Sequence, residues 1–148
     1  MHKITYKNIH NRFKLNGIHI SRKEMFYVAY NFIKEGKPFE QHIGTFLLDW
    51  FDEKSYIELS TSGTTGVPKV IRIEKQAMLD SALATGDFFG LEPGDTMLHC
   101  LPTNYVAGKM MWVRSFILGL DMKFVEPTSN PLEKIDENFD FCAMVPLQ

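Results

Sequence analysis

The segment Ser60-Thr61-Ser62-Gly63-Thr64-Thr65-Gly66-Val67-Pro68-Lys69 packs hydroxyls, glycines and a proline between two apolar runs. Glycines let a backbone turn sharply and bring its N–H groups close to a ligand; hydroxyls add donors and Lys69 adds a compact positive charge. Such a lining suits a polyphosphate, although the same residue types also build ordinary surface turns. The flanks favour the first reading. Tyr56-Ile57-Glu58-Leu59 reads as a strand leading in and Val70-Ile71-Arg72-Ile73 as one leading out, and glycine-hydroxyl loops at strand ends are common phosphate seats.

The rest of the chain alternates. Ile4 to Tyr6 and Phe13 to Leu15 read as short extended pieces before the turn signal Asn16-Gly17. Ser21-Arg22-Lys23-Glu24 has the form of a capping box, and Met25, Phe26, Val28, Ala29, Phe32 and Ile33 recur at helical spacing up to Gly36. A second helix is expected over Glu40 to Phe51 and a third over Glu74 to Phe89. Strands are expected at Thr96–Leu101, Met122–Val125 and Phe141–Val145, with a loop over Pro102–Gly108, a helix over Lys109–Leu118 and a short helix over Leu132–Asn138. Strands alternating with helices predict an α/β fold, a largely parallel sheet with flanking helices. Residues 1–55 form a helical lead-in and 56–148 the α/β region of one partial domain. The run Phe141 to Val145 has the continuous apolar character of a strand buried on both faces. It suggests a chain that stops inside a larger domain, the alternative being a small complete domain ending in an edge strand.

Composition removes several function classes. At 148 residues and 45% hydrophobic the chain supports a real core, and its net charge of −2 leaves no footprint for nucleic acid. No apolar run has the length of a membrane span and the start lacks a signal-peptide core, so a cytoplasmic location is the default expectation. Cys100 and Cys142 lie in apolar runs and read as small buried hydrophobes, and His99 reads as a packed histidine.

The loop is not a Walker P-loop, which needs Gly-Lys-Ser/Thr after a four-residue gap. It closely resembles the phosphate-binding signature of the adenylate-forming superfamily, the acyl-CoA synthetases and non-ribosomal adenylation domains: Thr-Ser-Gly-Ser/Thr-Thr-Gly-x-Pro-Lys. Thr61 to Lys69 match every fixed position, and Val70 departs where many members have glycine. Leu101 to Gly108 resembles the next motif, Pro-x-x-aromatic/His-x-x-Gly, with Tyr105 at the aromatic position. The stretch from Leu101 to Arg114, with Gly119 beyond, looks most like the o-succinylbenzoate:CoA ligases of menaquinone biosynthesis.

The resemblance implies the N-terminal part of an enzyme that joins a carboxylate to ATP as an acyl-adenylate and then transfers the acyl group to CoA. By it, Thr61, Ser62, Gly63, Thr64, Thr65, Gly66 and Lys69 would bind the ATP phosphates, with Mg2+ sharing their charge. Tyr105, Gly108 and Lys109 would line the acyl pocket. Lys109 is preferred over Arg114 as a cation for a dicarboxylate, because five residues on a helix separate their directions by about 140°. Family members are much longer, so the adenine and magnesium motifs and the adenylation lysine are expected outside these residues. The chain alone is then expected not to turn over, and to self-associate through exposed apolar surface. A non-catalytic phosphate-binding module, or a ligase for another aryl or fatty acid, are the alternatives.

Overall fold

The computed structural model describes residues 4–62 and 66–148. The chain begins with a tight hairpin, β1 (Lys14–Leu15) and β2 (Ile18–His19), turning through Asn16 and Gly17 at φ of 51° and 79°. Positive φ at both turn positions is what the Asn-Gly pair accommodates. Two helices follow. In α1 (Arg22–Glu35), Ser21 accepts a hydrogen bond from the Glu24 N–H. The second helix, α2 (Pro38–Phe51), starts two residues before the expected Glu40, because Pro38 fits the first helical position.

The main sheet has the order β2-β1-β6-β5-β7, where β5 is Thr96–His99, β6 is Asp121–Phe124 and β7 is Phe141–Cys142. β1, β6, β5 and β7 run parallel, and only β2 is antiparallel to its neighbour. The expected α/β fold with a largely parallel sheet is therefore present. Residues 1–55 are more than a helical lead-in, since β1 pairs with β6 through Lys14↔Asp121 and Leu15↔Met122. A two-residue strand has no periodicity by which a sequence could announce it.

β3 (Tyr56–Ser62) and β4 (Pro68–Glu74) form a separate two-stranded antiparallel sheet. The connection between them is too short for a parallel crossover, which needs a dozen or more residues, so the chain folds back on itself. α3 (Lys75–Phe89) leaves this hairpin directly. α4 (Val106–Leu118) is the crossover between β5 and β6, and it packs against α3.

Two expectations fail near the C-terminus. Leu132–Asn138 is not helical: Glu133 N–H donates to Asn130 and Ile135 N–H to Leu132, isolated three-residue turns rather than a helical ladder. Phe141–Val145 is a strand only over Phe141–Cys142. Pairing stops at Cys142, β7 pairs with β5 among the described residues, and Met144 and Val145 are 40% and 48% exposed.

The core gathers around α2, α4 and the sheet, with Phe46, Trp50, Trp112, Phe116 and Met97 all essentially inaccessible. Phe124 on β6 meets Phe32, Phe39 and Trp112 edge-on or tilted, at centroid distances of 5.6, 6.3 and 6.1 Å. That aromatic cluster ties the first helical pair and α4 to the same strand. Among the described residues no helix is long and apolar enough to cross a membrane.

Candidate active site

The phosphate motif sits at the tip of the β3–β4 hairpin. The register pairs Thr61 with Lys69 and Ser62 with Pro68, which sets the last motif residue across from the first. Gly63, Thr64 and Thr65 lie outside the described residues, as do the side chains of Thr61 and Ser62. Gly66 has φ of 77°, a left-handed conformation that disfavours any side chain. Val70 pairs with Ser60 in a regular ladder, so a β-branched residue is compatible with this position.

The hairpin is anchored at its base and exposed towards its tip. Ile57 is 1% exposed, whereas Val67 and Val70 are 65% and 66% exposed. Arg72 stiffens the middle: its Nε lies 3.3 Å from its cross-strand partner Glu58, and its guanidinium lies 4.5 Å from the Tyr56 ring centroid. At the base, Lys75 N–H donates to the Ser55 carbonyl, and the fully buried Lys75 Nζ lies 2.8 Å from Asp52 Oδ1. Burial alone would raise the Asp52 pKa, but the Lys75 hydrogen bond, the Lys54 amide and the Lys75 charge together hold it below the usual carboxylate range.

Sequence reasoning missed this pair. The signal was available, because Lys75 opens α3 and a cation in a helix's first turn opposes the helix dipole unless something else holds it.

The second motif is a loop clamped onto its own helix. α4 begins at Val106, three residues earlier than expected, so Gly108 and Lys109 both lie in its first turn or just beyond. A Cβ added at Gly108 would lie 2.0 Å from the Pro102 carbonyl oxygen, so only glycine permits this approach. Lys109 is 7% exposed and its Nζ donates to the Thr103 carbonyl at 2.8 Å, with the Phe46 ring 5.9 Å away. Burial lowers the Lys109 pKa, and Asp49 acts in the opposite sense. Thr103 Oγ1 takes the Trp112 Nε1–H at 3.3 Å and meets His99 Nε2 at 2.9 Å.

The clamp brings three of the candidate acyl-pocket residues onto one turn but faces them differently. Tyr105, the N-cap residue of α4, is 65% exposed, while Gly108 and Lys109 point inward. Arg114, the cation set aside in favour of Lys109, lies elsewhere on α4. It is half-buried over the ring of Phe141, 5.9 Å from its centroid, and makes no salt bridge among the described residues. His99 is a packed histidine, as expected; burial drives its pKa down to about 3. A cleft of about 730 Å³ lies against the N-terminal segment, lined by residues including Asn8, His10, His19 and Arg22, and contains neither motif.

An α/β domain in which the glycine-hydroxyl segment lies between two strands and a proline-to-glycine loop enters a helix is what the resemblance implied; the antiparallel pairing of those strands is what the structure adds. Residues 55–146 match the model of the AMP-binding enzyme family, and the chain belongs to that family. Among solved structures it is similar to the acyl-CoA synthetase (AMP-forming)/AMP-acid ligase II-like protein from Dyadobacter fermentans DSM 18053. The identity is 36%, the TM-score 0.69, and the match covers 82% of this chain and 35% of that one. The chain thus spans about a third of that relative's length. A more partial likeness is to ATP-bound MatB from Rhodopseudomonas palustris, at 24% identity and TM-score 0.43 over 49% of this chain and 15% of that one. No curated protein matches the chain.

Proposed function

We propose that this chain is the phosphate-gripping part of an ATP-dependent acid:CoA ligase. The observation that carries the reading is the complete Thr61–Lys69 signature, held on a hairpin that sets Lys69 opposite Thr61, inside the span that matches the AMP-binding family. In this reading the hydroxyls of Thr61, Ser62, Thr64 and Thr65 and the ammonium of Lys69 hold the β- and γ-phosphates of ATP. The acid's carboxylate oxygen attacks the α-phosphorus, its bond to the bridging oxygen breaks, and pyrophosphate leaves with the negative charge that the loop stabilises. The CoA thiol then attacks the acyl carbon and AMP leaves. Because the leaving group gains charge in the transition state, part of the loop's contribution appears in rate rather than in affinity.

Magnesium accompanies ATP in this chemistry, but the described residues contain no cluster of three or more His, Cys, Asp or Glu that could hold a metal. For the acid, the reading favours o-succinylbenzoate. Its support is the likeness of the Leu101 to Arg114 stretch, with Tyr105 as the exposed wall and Gly108 and Lys109 as the residues that set the loop. A cytoplasmic setting, where ATP and CoA are both plentiful, goes with it.

The test uses the longest natural reading frame containing these residues. Acid-dependent exchange between ATP and pyrophosphate is expected, and Lys69→Ala should lower it by roughly 10²-fold, the scale of removing one preorganised charge-stabilising donor. Exchange that is absent with every carboxylic acid, or untouched by Lys69→Ala, would overturn the reading. A panel of aryl, dicarboxylic and fatty acids then separates o-succinylbenzoate from the rest.

A further inference from the structure

The apolar runs that hold the two cysteines converge in the sheet. Cys100 follows the last residue of β5, Cys142 ends the neighbouring edge strand β7, and their Sγ atoms lie 3.9 Å apart. Both are free thiols. Cys100 is fully buried, whereas Cys142 is half-buried and within reach of a small solute. A disulfide needs about 2.05 Å between the sulfurs, so the pair must close by about 1.9 Å.

The edge strand is the element able to make that move. Among the described residues β7 is held to the sheet through just two pairs, Met97↔Phe141 and Leu98↔Cys142. The chain on the other side of the gap is held firmly. The Cys100 carbonyl accepts from Gln148 Nε2 at 2.9 Å, and three residues on, Thr103 is fixed by Lys109, Trp112 and His99.

We propose that Cys142 and Cys100 are a peroxide-oxidisable dithiol whose disulfide pins the edge strand β7 to the segment entering the Pro102–Tyr105 loop. Cys142 is the attacking thiol and Cys100 the resolving one. The hydrogen bond from Cys100 pulls the Cys142 pKa down to about 7, while that same bond and burial push Cys100 up. A thiolate at the exposed position is the reactive form.

The Cys142 thiolate attacks one oxygen of hydrogen peroxide, the O–O bond breaks, and the departing hydroxide takes a proton to leave as water. Cys142 is then a sulfenic acid. The Cys100 sulfur attacks Cys142 Sγ, the S–O bond breaks, and the hydroxyl leaves as a second water with the Cys100 proton. Two thiols lose two electrons and one peroxide gains them. The proposal is independent of the ligase reading, because its products are read on the protein itself.

The experiment treats the purified 148-residue chain with stoichiometric hydrogen peroxide and follows free thiols and intact mass. Both thiols should disappear together, with the loss of two hydrogens, and return with dithiothreitol. The oxidised chain should melt roughly 5–10 °C higher, since the bond closes a long loop. Cys100→Ser should stop at a sulfenic acid that dimedone traps, and Cys142→Ser should leave the buried Cys100 unreacted at the same dose. Unfolding the wild type in urea should slow disulfide formation at least tenfold, a control that needs no variant to fold. Thiols that persist in the folded chain, cross-links between chains, or equal rates folded and unfolded would each overturn the proposal.

Discussion

Lys109 Nζ donates to the Thr103 carbonyl at 2.8 Å from inside the helix that Thr103's own loop leads into. The contact turns a residue expected at an open pocket into a peg that holds the loop, and Thr103 Oγ1 completes the anchorage with Trp112 and His99. Thr103→Val keeps the shape and the carbonyl but strips a partner from two buried ring N–H or nitrogen groups. It should cost about 2–3 kcal/mol in urea unfolding, while Thr103→Ser should stay close to wild type. Lys109→Met should cost less, about 1 kcal/mol, because losing the carbonyl's donor is offset by no longer burying a charge. Equal midpoints for Thr103→Val and Thr103→Ser would show that Oγ1 contributes nothing.

Two helical glycines make a paired test of close approach. A Cβ at Gly108 would meet the Pro102 backbone at 2.0 Å, whereas at Gly86 it would meet only the Leu118 side-chain tip at 2.7 Å. Alanine gains roughly 1 kcal/mol in helix propensity at either position. At Gly86 a rotamer change of Leu118 absorbs the clash, so Gly86→Ala should be near neutral. At Gly108 the backbone must move, and Gly108→Ala should destabilise by roughly 2–3 kcal/mol net. It should also change the near-UV circular dichroism of the clamped Trp112, a readout that a simple loss of stability leaves alone.

The comparison of sequence with structure divides along one line. What is written in local periodicity was legible: α1 with its Ser21 cap, α3, and the parallel strands β5 and β6. The phosphate motif was legible too, because its residue types and spacing are unusual, and its span falls in the family match. What depends on pairing at a distance was not. The short β3–β4 connection announces an antiparallel pair, but nothing local says that the pair forms a sheet of its own or that β1 joins β6. Phe141–Val145 read as one strand because its residues are apolar, yet pairing with β5 stops at Cys142. Lys109 read as a cation lining the acyl pocket; its burial against the Thr103 carbonyl goes with the Gly108 approach that brings the loop over it.

Asp52 and Lys75 lock the end of α2 to the start of α3, at the foot of the hairpin that carries the phosphate motif. The two ends of the pair are unequally buried, Lys75 at 0% and Asp52 at 33%. Asp52→Ala would leave a buried ammonium with the residue-52 carbonyl at 3.5 Å and the Tyr6 ring centroid at 5.9 Å, and no carboxylate in hydrogen-bond reach among the described residues; it should cost about 3–5 kcal/mol. Lys75→Met keeps the buried stem and leaves a carboxylate that water can reach, so the loss should be about half of that. Asp52 has its pKa lowered in the fold, so its contribution is present above the ordinary carboxylate value of 3.8 and is lost as pH falls below it. Thermal melts of both variants at neutral pH, and of the wild type through that acid range, check the order and the window.

His99 gives the strongest pH dependence in the upper acid range. Its ring is 1% exposed, and Nε2 lies 2.9 Å from Thr103 Oγ1, which also accepts from Trp112 Nε1–H. Nδ1 is a buried atom without a partner among the described residues, so the ring has little to stabilise a charge. Burial lowers the pKa from 6.5 to about 3. The unfolded chain takes up a proton that the folded chain refuses, so stability is greatest above 6.5 and falls on acidification until about 3, where both states are protonated. Within that window His99 alone tilts stability by about 1.4 kcal/mol per pH unit. Asp49, whose pKa is raised mainly by burial and then by Asp52, tilts the curve the other way near its own titration, and His10, lowered by burial and by Arg12, adds a little in the same sense as His99. The difference between wild type and His99→Gln isolates the histidine. Urea midpoints measured from about pH 7 down to about pH 4 should fall steeply for the wild type and much less for the variant, and parallel curves would rule out His99 as the source.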